Sequence, residues 1–297
     1  MSERQYECGL LLASVDSLHR TKVLETLLGQ RVIAKSQRVM EIWQRSNKDW
    51  NQVLYAMAAY ALCAPRNSAP AQRLAEVVPF SAALRERSSR QRVEALLLGA
   101  SGLLEGEYFD SYIVALQEEF DYLANKYSLC PMKAGEWQRA KNLPAGNPVV
   151  RLVQLAALVS KPEFAFDALV GCKTLADVER LLEVEVSEYW QKHFTFQGES
   201  CSASKRIGRS KVAMMAINMV VPLQIAYADT MRDARLKESA LEMLDTIPAE
   251  SNRLVGRWTG AGIPCRSAYD SQALLELQSL CERGACGECP VEKQLRK

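Results

Sequence analysis

Seventeen consecutive uncharged residues, VAMMAINMVVPLQIAYA, separate Lys211 from Asp229. A helix over this run has no polar face, and a helix that is apolar all round is buried. Seventeen residues only reach the lower limit of a bilayer span, and Asn218 and Gln224 would be costly in lipid. The run therefore reads as a core helix that the other elements pack around, with no membrane association. Pro222 has no amide hydrogen and its ring crowds the carbonyl of Asn218, four residues back. A kink is expected there, with Asn218 as a polar core residue that must find a freed carbonyl or a neighbouring helix.

Elsewhere the periodicity is helical. Val23, Leu24, Leu27, Leu28, Val39, Ile42 and Trp43 recur at three- and four-residue spacings and predict an amphipathic helix over 18–45, with a break near Gly29. Asn47 or Asp49 can cap the next helix, over 50–63, which Pro65 ends. Further helices are predicted over 71–78, 82–87, 90–98, 110–127, 149–159, 164–170, 175–183 (capped by Thr174) and 187–193. No run alternates with period two between hairpin turns, so the class is all-α, a multi-helix protein around one Pro-kinked helix. Residues 130–148 hold three prolines and two glycines. They predict a boundary between a helical subdomain with its linker loop, 1–144, and a second helical subdomain with a Cys-rich tail, 145–297.

Charge and composition narrow the function classes. The net charge is +2, from 37 basic and 35 acidic residues, so any site for an anionic partner must be local. The start, MSERQYECGL, is charged at once and does not read as a secretory signal. With nine cysteines, an odd number, the expectation is reduced thiols in a cytoplasmic protein. Two histidines, His19 and His193, all but exclude triads and multi-histidine metal sites. Phosphate-binding loops, dinucleotide fingerprints, zincin helices and nucleophile elbows are absent. A chain with these properties is expected to be non-catalytic on its own.

Two constellations carry chemistry. Cys281, Cys286 and Cys289, in CERGACGECP, are spaced four and then two residues apart; thiolates bind zinc or an iron–sulfur cluster, and Gly284 and Gly287 ease the turn. Three ligands leave a tetrahedral zinc site open, and Cys265 or His193 is the candidate fourth. Against this stand a redox pair and ordinary reduced cysteines. The second constellation is Lys205, Arg206, Arg209 and Lys211, in SKRIGRSK directly before the central helix. With Lys192, and with Arg139, Lys141 and Arg151 from the linker region, it could present cations to nucleic-acid phosphates. The plain alternative is a solvated collar, since the patch lacks aromatics for base stacking. Glu250 and Asn252, in IPAESNRLVGRW, are with Asn218 the candidate polar core residues; they stand at a loop-to-helix transition, where capping accounts for Glu250.

Several stretches together resemble the carboxy-terminal part of a bacterial family, Domain of Unknown Function 2851. They are Asp49 and Trp50, EALLLGASGLL at 94–104, NKYSL at 125–129, LPAGNPVVRLVQLA at 143–156, YWQKHF at 189–194, Ile217 and Asn218 with Pro222, PAESN at 248–252, and SQALLEL with the three-cysteine ending. Longer members carry an additional amino-terminal region similar to a metal-dependent nuclease of the restriction-endonuclease type. The resemblance implies that this chain is the helical module without that part. Its partner would be nucleic acid or a nuclease-like protein. Leu143 and Gly146 depart from the pattern, standing where a basic residue and an Asn are expected. The alternative function is a structural or protein-interaction module whose cysteines hold zinc.

Overall fold

A computed structural model describes residues 3–139, 146–200 and 202–295. The fold is all-α: 70% of the chain is helical. Among the described residues the only strand-like pairing is one isolated antiparallel bridge between Pro248 and Ser267. The chain divides into two compact units, one of residues 1–40, 173–175 and 221–297, the other of residues 41–172 and 176–220. The boundary expected at 144/145 falls in the undescribed stretch, as do Lys141 and Leu143. The described residues on either side of that stretch belong to the same unit.

The larger unit is built on three helices that are almost wholly buried, Trp50–Cys63, Arg90–Ala100 and Pro148–Ser160. Their apolar residues cover every side, so each needs neighbours all round. Asp49 makes the first of them start where it does, its side chain accepting the amide of Asn51 at 2.9 Å. Asp110 and Asn147 cap Ser111–Tyr127 and Pro148–Ser160 in the same way. Pro148 occupies the first turn of its helix, where its missing amide has no partner to lose. Ser68–Val77 begins three residues earlier than periodicity suggested, with Pro70 inside the first turn.

The other unit holds helices Glu3–Ser14, Ala234–Thr246, Arg253–Thr259, Ala268–Glu282 and Pro290–Leu295, together with most of Ser17–Arg45. The expected break near Gly29 does not occur: Ser17–Arg45 is one 29-residue helix. Val23, Leu24, Leu27, Leu28, Val32 and Val39 form a buried stripe that continues past Gly29. That burial outweighs the roughly 1 kcal/mol a glycine costs inside a helix.

The apolar run lies in Arg209–Met231. Its interruption takes the form of a π-helical segment, Ala216–Val220, immediately before Val221–Met231. Pro222 cannot give Asn218 its α-helical donor, and the helix widens just ahead of it. Asn218 is half-buried, and its amide donates to the carbonyl of Met214 at 2.9 Å. By length and composition this helix could cross a membrane, but 72% of its most apolar window is buried within the protein.

Candidate functional site

Five of the eight cations named for a nucleic-acid surface converge on one cleft. Arg151, Lys205, Arg206, Arg209 and Lys211 line a cavity of about 730 Å³, with Gln154 and Phe194 in its wall and no carboxylate among the lining residues. All belong to the larger unit. Arg151 projects from the second turn of Pro148–Ser160, and its guanidinium donates to Gln154 Oε1 at 2.9 Å. Gln154 in turn donates from Nε2 to the carbonyls of Lys205 (2.7 Å) and Arg206 (3.5 Å). One buried glutamine thus ties the basic segment to the helix that carries Arg151.

The five cations are not equivalent. Lys205 is only 4% exposed; its ammonium sits 3.5 Å from the centre of the Phe194 ring and donates to the carbonyls of Gln191 and Ala203. Lys211 donates to the carbonyls of Ala61 (3.2 Å) and Ala64 (2.8 Å). Arg206 pairs with Glu185 and lies 3.6 Å from Glu183, and Arg209, 93% exposed, is 3.8 Å from Glu179. These two form the collar. Arg151, Lys205 and Lys211 have no carboxylate ion-pair partner among the described residues.

The electrostatics follow from that division. Burial, and then the neighbouring Arg151, push the Lys211 ammonium down to about 8. Lys205 and Arg151 are likewise lowered, chiefly by burial. Arg206 is raised, because Glu185 accepts its hydrogen bond and opposes its charge. The inner cations are under-compensated: each would gain from an anion.

The remaining candidates lie elsewhere. Arg139 does not join the cleft; it lines a separate cavity of about 200 Å³ with Tyr108, Asn147 and Phe196. Glu250 is half-buried and is no cap: its carboxylate accepts from Gln272, which also accepts from Arg31 Nε at 2.7 Å. Asn252 is the cap instead, accepting the amides of Leu254 and Val255 at 3.0 Å, and it is exposed rather than part of a polar core. A buried carboxyl that sequence reading treated as ordinary helix is Glu94, 0% exposed, whose Oε2 accepts from Tyr112 Oη and Trp190 Nε1, both at 2.7 Å. Burial raises its carboxyl and those two hydrogen bonds oppose the rise. Tyr112 stacks on Tyr189 and Tyr189 on His193, so YWQKHF contributes an aromatic nest around this group. Glu94 lines neither the basic cleft nor the Arg139 cavity.

The expected metal set is only partly assembled. Cys281, Cys286 and Cys289 line one cavity of about 60 Å³, but neither Cys265 nor His193 lines it. His193 belongs to the other unit, where Nδ1 donates to the carbonyl of Tyr189 at 2.8 Å. The Cys265 thiol is pushed up to about 11 by burial and by Asp270 and Glu250 nearby. In their place the cavity receives Cys8. No group of three or more His, Cys, Asp or Glu side chains among the described residues already stands in a metal-holding arrangement. Burial pushes the Cys281 thiol up to about 11 as well, opposite to what a redox nucleophile requires.

Comparison with known proteins adds one match. The model of a family described as Protein of unknown function (DUF2851) matches residues 1–253, ending before the cysteine turn. No curated protein and no solved structure matches the chain.

Proposed function

The chain belongs to the DUF2851 family, and on that footing we propose that it is a helical module that binds nucleic acid through its phosphate backbone at the Arg151–Lys211 cleft, as an accessory to a nuclease-like domain or partner, without catalysis of its own. One observation carries the reading: among the described residues, Arg151, Lys205 and Lys211 line a cleft with no carboxylate in its wall and have no ion-pair partner, and Arg206 and Arg209 stand at its edge. A phosphate diester supplies the missing negative charge, and five cations along one surface suit a chain of phosphates better than a single anion. Phe194 is already covered by Lys205, so base stacking contributes little and recognition is by backbone rather than sequence.

The test is fluorescence anisotropy with labelled single-stranded and duplex DNA and RNA at low and physiological salt. Wild type should bind with a steep salt dependence, and Arg209→Ala, at a nearly fully exposed position, should lower the logarithmic salt slope by about one. Lys205, Arg206, Arg209 and Lys211 changed together to Ala should abolish binding. If wild type fails to bind any of these at low salt, the reading is wrong. A structural or protein-interaction module held by zinc is the second reading, favoured by the thiols gathered around the smaller cavity.

A further inference from the structure

We propose that Cys8, Cys281, Cys286 and Cys289 are the four ligands of a thiophilic metal centre, a zinc ion or an iron–sulfur cluster, that fastens the Glu3–Ser14 helix to the carboxy-terminal turn. The inference is independent of nucleic-acid binding and concerns the other unit. All four cysteines line one small cavity, whose remaining walls are Gln5, Leu280 and Glu292. Cys8 and Cys289 are buried, and Cys281 and Cys286 are half-buried.

The backbone is built to gather these sulfurs. Cys281 lies in the last turn of Ala268–Glu282. Gly284, at φ 66°, turns the chain back, so that the amide of Ala285 reaches the carbonyl of Leu280 at 2.9 Å. A single 3-10 turn, Cys286–Glu288, then carries Cys286 and delivers Cys289, whose amide donates to the carbonyl of Cys286 at 3.1 Å. Pro290–Leu295 follows and packs against Glu3–Ser14, the helix that holds Cys8. The chain thus supplies three thiols from one tight turn and a fourth from a distant helix. That is the ligand number a closed tetrahedral zinc site or a four-cysteine cluster needs.

The sulfurs surround the cavity without yet converging on a point. Each sulfur is carried on one rotatable Cα–Cβ bond, so ligation requires these side chains to turn inward from the arrangement the structure shows. On binding, each thiol gives up its proton and forms a sulfur–metal bond, four protons being released per four-thiolate centre.

Full-length chain purified anaerobically without chelator, and the same chain supplied with zinc or with iron and sulfide, is analysed by elemental mass spectrometry, acid-labile sulfide and visible absorption. About one centre per chain is expected. Colourless protein with zinc identifies the ion; iron with sulfide and broad visible absorption identifies the cluster. Cys8→Ser should lose the metal, whereas Cys265→Ser should keep it. Should Cys8→Ser fail to fold, wild type still decides: stepwise alkylation read by peptide mass should release metal in step with modification of Cys8 and the three carboxy-terminal cysteines. No bound metal under either condition, metal retained by folded Cys8→Ser, or release without modification of Cys8 would overturn the assignment.

Discussion

Single residues set the energetic conditions of the cleft. Lys211 is harder to keep charged in the folded protein than in the unfolded chain, since its ammonium is lowered from 10.5 to about 8. Between those values the unfolded chain holds the extra proton, so stability rises with pH across that window, and the penalty is fully present below about 8. Lys211→Met should flatten the rise. Denaturation of wild type and variant at pH 7.5 and pH 10 checks this, and subtracting the two cancels other groups such as Lys35, lowered to about 7. Parallel curves would contradict the assignment. Gly102 makes a second point at this scale. Its φ is +74°, and a Cβ there would lie 2.2 Å from the carbonyl oxygen of Met132. Gly102→Ala should cost about 2 kcal/mol or more, seen as a lower denaturation midpoint, through backbone strain and the clash together. Glu94→Ala should cost about 2–5 kcal/mol, because it strands the buried Trp190 indole donor and leaves the Tyr112 hydroxyl only Ser187 as a partner.

At the scale of elements, the sequence periodicity located helices well wherever an apolar stripe or a cap marked them. Trp50–Cys63 has the bounds that Asp49 and Pro65 predict, and Ser111–Tyr127 matches the apolar stripe of 110–127 with Asp110 as its cap rather than its first residue. Gly29 misled because local propensity is a small term beside a continuous buried stripe. The interruption at Pro222 was legible, its π-helical form was not, since which carbonyl is rescued depends on where Asn218 can reach. Asn218→Ala removes the donor to Met214 and should destabilise by about 1 kcal/mol without abolishing the fold. Equal midpoints for variant and wild type in urea would show that the bond contributes nothing.

At the scale of the molecule, the proposed phosphate binding at the cleft is expected to depend on pH. A phosphate beside Lys211 would restore its ammonium toward the ordinary value, so binding takes up protons. Affinity should be highest below about pH 8 and fall as pH rises through it. Anisotropy titrations at fixed ionic strength between pH 7 and 9.5 check the direction, and Lys211→Arg should remove much of the fall, as guanidinium stays charged.

The sequence by itself determined the all-α class, the central apolar helix, most helix positions, the three-cysteine turn and the basic run before the helix. Each is encoded by neighbours within a few turns, where periodicity and capping act. Only the tertiary structure decided that Arg151 joins the basic run through Gln154 while Arg139 does not. It alone set Cys8, rather than Cys265 or His193, beside the cysteine turn. It also grouped residues 1–40, 173–175 and 221–297 into one unit and 41–172 and 176–220 into the other. Those choices depend on which apolar faces bury one another across long separations, and spacing along the chain carries no record of that.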